Sequence, residues 1–175
     1  MAFLDESALQ LVPNKRRVIN TKTVSYRETE QRPRRRSQPI FGFMALNGND
    51  VAMLTEECKS RDMISFLELV RSENPLGHIC VILDNARIHI ASAVKKRAAE
   101  LGIILIYLPP YSPDLNPIEF GWKDLKRSLS ALLDFDLMVD KSKEQTLELF
   151  HERKLGYSKR WMEKFTVAQT IQVKG

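Results

Sequence analysis

The chain has 175 residues, 43% of them hydrophobic, and a formal net charge of +5, so one domain with its own core and a polyanionic partner are expected. Its two cysteines, Cys58 and Cys80, are too few for a disulfide scaffold and lack the CxxC spacing of a zinc site. No apolar run approaches the ~20 residues of a transmembrane helix and no basic-then-apolar leader opens the chain, so an intracellular protein without membrane contact is expected.

Residues 2–5 predict a very short first strand ending on Asp5. So little chain before an acid-bearing strand implies a place in the middle of a sheet, or a longer product of which this is the second half. Glu6 reads as a solvated turn residue rather than an accessory acid, and residues 8–14 as a turn. Residues 15–37, KRRVINTKTVSYRETEQRPRRRS, are the densest basic stretch and end on Arg32, Arg34, Arg35 and Arg36. They read as a track for a DNA backbone, with a solvated hairpin tip as the bland alternative. Residues 15–20 could add a further ribbon. PIFGFMAL at 39–46 predicts a strand, Asn47-Gly48 a hairpin turn, and 50–55 the returning strand. A helix over 61–72 presents Met63, Ile64, Phe66, Leu67 and Val70 on one face.

The apolar, mostly β-branched run 79–83 predicts a buried strand ending on Asp84. A helix over 90–101 follows, with Ile90, Val94, Ala98 and Leu101 on one face and Lys95, Lys96 and Arg97 on the other, and Gly102 as its C-cap. Residues 103–108 predict the next strand. This is a βαβ unit with parallel strands and a right-handed crossover. Asp84 then sits at a strand's carboxyl end, where ligands bind in open α/β sheets. The segment LPPYSPDLNPIEFGW holds Pro109, Pro110, Pro113 and Pro117, which make a stiff loop. Asn116 reads as a helix N-cap with Pro117 in the first turn. Glu119 lies in that turn, and the helix runs on through Trp122, Leu125, Leu129 and Leu132. Trp122 reads as core rather than as a base-stacking surface. Lys123, Lys126 and Arg127 read as phosphate contacts or as solvated cations. Beyond residue 126 an extension of this helix and one or two further helices are expected. Asp134, Asp136 and Asp140 lack the glycine and closing glutamate of a calcium loop. KLGYSKRWMEKF reads as a packing helix ahead of a DNA-flanking one, and 168–175 as a frayed tail.

Asp5, Asp84 and Glu119 thus end or begin elements of one α/β domain. Three such carboxylates can hold two divalent cations about 3.5–4 Å apart, which stabilise the attacking and leaving oxygens of a phosphodiester. Thirty-four residues separate Asp84 from Glu119.

FLDES, LDNARIH and LPPYSPDLNPIEFGWKDLK resemble the three signature blocks of the mariner-like insertion-sequence transposases, in the DDE superfamily of endonucleases, and the interval of thirty-four is that family's spacing. The resemblance covers about residues 1–135, most firmly 79–127. It implies an RNase H-like fold: a mixed sheet of three antiparallel strands plus a parallel βαβ pair, flanked by helices. It implies Mg²⁺ or Mn²⁺ in a two-metal site, with Asp5, Asp84 and Glu119 as catalytic residues and metal ligands. His89 stands where the family has a histidine, lining the site or packing at a helix start, and Asn85 could orient Asp84. DNA is the implied partner, as element ends and target, with a homodimer on DNA. Arg32, Arg34, Arg35, Arg36, Lys123, Lys126 and Arg127 would be its contacts, and the location would be cytoplasmic, at the nucleoid. Residues 1–135 would form the catalytic domain and 136–175 a helical extension of it. A tryptophan and a glycine usual in the family's first hairpin are replaced within VINTKTVSYRETEQ, and no helix-turn-helix precedes the domain. A companion helix-turn-helix polypeptide would supply the latter. A non-catalytic DNA-binding or dimerisation remnant of a decayed element, or another RNase H-like nuclease, is the alternative. Without metal, at least one of the three acids is expected to have a raised pKa, and Asp84→Asn is expected to relieve repulsion in EDTA.

Overall fold

The computed structural model describes residues 1–10, 37–110, 112, 114–130, 132 and 134–163 in full, and 113 and 164–172 by their backbone. Strand β1 (Ala2–Gln10) is followed by β2 (Ser37–Ala45), β3 (Val51–Leu54), helix α1 (Ser60–Glu73), β4 (Ile79–Leu83), α2 (Ser92–Glu100) and β5 (Ile103–Tyr107). A 3₁₀ turn (Pro113–Leu115), α3 (Ile118–Leu129) and α4 (Phe135–Gln172) complete the order. The five strands lie in the order β3-β2-β1-β4-β5. β1–β2 and β2–β3 pair antiparallel, while β1–β4 and β4–β5 pair parallel.

β1 runs five residues past Asp5. Its alternation continues, and it pairs with β2 from Ala2↔Ala45 to Gln10↔Ser37. The turn expected at 8–14 therefore cannot begin before residue 11. A charged side chain on one strand face did not end the strand, because β2 goes on pairing with its backbone as far as Gln10. β1 occupies the middle of the sheet, one of the two readings its short lead allowed.

The period of two divides β1 between two cores. Ala2 and Leu4 join Phe41, Phe43, Val81 and Leu83 beneath α1 and α2, which contribute Met63, Phe66, Leu67, Val70, Val94 and Ala98. Phe3 and Leu9 join Ile40, Met44 and Ile82 beneath α3 and α4. There they meet Trp122, Leu125, Leu129, Met138, Phe150 and Tyr157. Burying each large apolar side chain contributes about 1.5–3 kcal/mol, so Met138 and Phe150 alone give α4 a strong hold on the sheet.

α2 is shorter than its apolar pattern predicts. The backbone N–H groups of His89 and Ile90 both bond to Ala86 O in a separate turn, and Ile90 is exposed. Gly102 follows the C-cap at φ +65°, the left-handed position expected of it. α3 stops at Leu129. Asp134 opens α4 by accepting the N–H of Leu137 at its Oδ1 (3.0 Å) and that of Met138 at its carbonyl (3.1 Å). From there a single helix of 38 residues follows, within the one or two expected. No proline follows Pro117 to interrupt it.

Candidate active site

The parallel register of β1 and β4 brings two of the acids together. Ala2 faces Val81 and Phe3 faces Ile82. Two residues further on, the same register sets Asp5 level with Asp84, on the same side of the sheet as Phe3 and Ile82. β4 ends at Leu83 while β1 continues, so a cleft opens at β4's carboxyl end. Asp5, Asp84 and Glu119 all line it, with Asn85, Ala86, Pro109, Pro110, Ser112 and Asn116, in a volume of about 420 Å³.

Asn116 does not cap α3. Its side chain is buried and donates from Nδ2 to Leu4 O at 3.3 Å. The helix start is made instead by backbone bonds from Glu119 N–H to Asn116 O and Phe120 N–H to Pro117 O. An amide spent on β1 ties the start of Glu119's helix to the strand that carries Asp5. Trp161 of α4 adds a second tether, donating to Leu115 O at 2.6 Å. The Asn85 amide donates to Leu108 O and holds the loop after β5.

Asp5 is 8% exposed and its Oδ2 accepts the indole N–H of Trp122 at 3.0 Å. Gly42 faces Asp5 across β1 and β2. A Cβ there would lie 2.6 Å from Trp122 Cη2, so glycine is what lets the indole reach the sheet. Burial, then Glu6, Glu119 and Asp84, push the Asp5 carboxyl from 3.8 up to about 8. Trp122 is core, as expected, but its polar edge was not legible: only the register places Asp5 beneath it.

Asp84 is held differently. Its Oδ1 accepts from Ala86 N–H at 2.9 Å and from His89 Nδ1 at 2.7 Å. The His89 hydrogen bond holds its carboxyl below the usual range; partial burial opposes this and Ala86 assists. His89 is fully buried, and its Nε2 stands 2.9 Å from Glu6 Oε2, a close ion pair without aligned hydrogen-bond geometry. Burial alone would lower the imidazole's pKa, but the two carboxylates outweigh it and raise it from 6.5 to about 10. Glu6 is thus a strand residue bearing on Asp84 through His89, not a solvated turn residue. The acid next to Asp5 in an alternating strand was the available signal.

Over residues 1–136 the sequence matches the DDE superfamily endonuclease family. The chain belongs to that family. It is 33% identical over 89 residues to the uncharacterized protein y4pE/y4sA of Sinorhizobium fredii (strain NBRC 101917 / NGR234), covering 50% of this chain and 64% of that protein. Its fold is similar to a Mos1 chain in the Mos1 strand transfer complex, with a TM-score of 0.61 and 16% identity over 93% of this chain and 54% of that one. The Mos1 transposase catalytic domain, solved with raltegravir and Mn, gives 0.57 and 15% identity over 93% and 81%. The chain therefore spans about half the length of the whole Mos1 chain. Likeness at this identity establishes an RNase H-like fold.

Glu119 completes the cleft of this DDE endonuclease family member. Burial raises its carboxyl, Lys126 and Lys123 pull it back, and Asp84 and Asp114 raise it further. Lys123 also lies 5.8 Å over the Phe120 ring and lines a smaller adjoining hollow of about 240 Å³. Arg127 instead pairs with Asp124 at 3.2 Å. Arg32, Arg34, Arg35 and Arg36, and the ribbon expected at 15–20, lie outside the described residues. Among the described residues no three His, Cys, Asp or Glu side chains stand close enough to form a ready-made metal cage. The donor set nevertheless fits a hard divalent cation, since the three acids that line the cleft offer oxygen ligands only. No helix among the described residues is long and apolar enough to cross a membrane.

Proposed function

We propose that the chain is the catalytic core of a DNA transposase that cleaves and joins DNA strands with Mg²⁺ or Mn²⁺. The observation that carries this is the convergence of Asp5, Asp84 and Glu119, from a central strand, its parallel neighbour and a tethered helix start, on one cleft. In this reading the three carboxylates are the catalytic residues and metal ligands, and bound divalent ions would neutralise charge on the attacking and leaving phosphodiester oxygens. The protein's own part is positional. Ala86 and His89 fix Asp84, Trp122 fixes Asp5, and Asn116 fixes the start of Glu119's helix. Lys123 and Lys126, exposed along α3 from Glu119, would receive phosphates, with the arginines at 32 and 34–36 extending the track. Element ends and target DNA would be the partners, held by a homodimer, at the nucleoid. Residues 136–175 belong in this reading to the same domain as 1–135, because Met138, Phe150 and Tyr157 complete its second core.

The test is nicking and strand joining of a labelled duplex. Cleavage is expected with Mn²⁺ or Mg²⁺ and not in EDTA, and joining of a free 3′ end to a second duplex separates a transposase from a plain nuclease. Asp84→Asn, folded, is expected to lose about a hundred- to a thousandfold in cleavage rate. Equal cleavage by parent and variant would remove Asp84 from the reaction.

A further inference from the structure

We propose that Trp122 is a positioning residue that restricts Asp5 to coordination through one oxygen and so sets which cations the cleft prefers; this rests on the reading of Asp5 as a metal ligand. The indole N–H donates to Asp5 Oδ2 at 3.0 Å between two buried side chains. Turning that oxygen toward the cleft would leave a buried indole N–H without a partner. The bond therefore commits Oδ2 to the indole and leaves Oδ1 as the oxygen that Trp122 does not hold.

The indole has no room to follow a rotating carboxylate. Gly42, opposite Asp5 in β2, forms its floor, and a Cβ there would approach Cη2 to 2.6 Å and Cζ2 to 2.8 Å. Phe150 flanks it, with ring centroids 5.8 Å apart. Phe150 is itself confined by Gly121, where a Cβ would lie 2.6 Å from its Cε1. Two glycines from different elements thus clear the space for one pair of rings. Small octahedral cations such as Mg²⁺ take single carboxylate oxygens in strict geometry, whereas Ca²⁺ favours higher coordination that includes two-oxygen carboxylates. An Asp5 limited to one oxygen favours the former.

The experiment measures Mn²⁺ and Ca²⁺ affinity by calorimetry for the full chain, Trp122→Phe, and the double variant Gly42→Ala/Trp122→Phe. In the double variant the added methyl refills space vacated by the indole's outer ring, which keeps a folded protein available if the single change disrupts the core. Both variants are expected to lose about tenfold or more in Mn²⁺ affinity, the usual cost of removing an outer partner of a metal ligand, with Ca²⁺ affinity held or raised. A folded variant with an unchanged Mn²⁺/Ca²⁺ ratio overturns the inference while leaving the metal site standing. A parent chain that binds neither ion overturns the metal site and this inference with it. In the parent, the Trp122 indole N–H resonance, assigned with Trp161→Phe, is expected to stay hydrogen-bonded at saturating Mg²⁺. Its release by Mg²⁺ would equally overturn the inference.

Discussion

Asp5 on β1 and Asp84 just past the end of β4 stand level, yet burial and pairing push their carboxyls in opposite directions. Asp84 has a buried imidazolium beside it, and Asp5 has a neutral indole and three acids around it. Relief of charge in EDTA therefore belongs to Asp5, not to Asp84 as the sequence alone suggests. Folded Asp5 keeps its proton up to about pH 8, whereas its ordinary value is 3.8. Over that window the folded state binds more protons than the unfolded one, so the metal-free parent loses stability as pH rises. Asp5→Asn is accordingly expected to raise Tm in EDTA, by little at pH 4 and most at pH 8, because its amide oxygen still accepts the Trp122 N–H. Thermal unfolding across that range checks this, and a pH-independent difference would count against it. Asp84→Asn is expected to lower Tm in the same buffer, since it weakens the partner of buried His89.

The joint between α3 and α4 is centred on Asp124, whose carboxylate takes Arg153 at 2.8 Å, the Tyr157 hydroxyl at 2.8 Å and Arg127 at 3.2 Å. Burial raises its pKa, but Tyr157 and Arg153 outweigh it and hold it below the ordinary 3.8. Its contribution is therefore complete above that value and lost as pH falls further. Asp124→Asn is expected to cost about 1 kcal/mol at pH 7, with the gap to the parent closing in acid below pH 4, as urea titrations at both pH values would show. Gly121 tests the same joint by shape. Alanine would normally favour a helix, but here its Cβ meets Phe150, which is fully buried and has nowhere to move. Gly121→Ala is expected to destabilise by about 1–3 kcal/mol. Phe150→Leu should recover part of that loss in the double variant, and simple additivity would refute the clash.

On the whole molecule, the positive charge behind the net +5 is concentrated between residues 15 and 37. Each phosphate neutralised on duplex DNA adds about −0.9 to the slope of log affinity against log salt. Replacing Arg32, Arg34, Arg35 and Arg36 with serine is expected to flatten that slope by roughly 2–4 units; fluorescence anisotropy over a salt series reads it directly, and an unchanged slope would leave the four as solvated charges. The sequence made most of this architecture legible: the strand-ending acids, the Asn-Gly turn, the βαβ unit and the proline loop are short-range signals. The contacts that hold the site were not. Glu6 to His89, Trp122 to Asp5 and Asn116 to Leu4 each join residues more than eighty positions apart. They depend on strand register and on which face of β1 a side chain takes. The end of α3 at Leu129, short of the expected Leu132, was missed because nothing in the hydrophobic spacing marks the break before Asp134 restarts a helix.

The strand that carries Asp5 is first in the chain and central in the sheet. Both of its partners are made later, β2 from residue 37 and β4 from residue 79. During synthesis the Phe3–Asp5 segment must wait, with both edges and then one edge open, until β4 has left the ribosome. Non-local pairing of this kind is slow and leaves apolar edges available to other chains. The acid-lined cleft can therefore form only after β4 and α3 have been made, so a chain released before then lacks it.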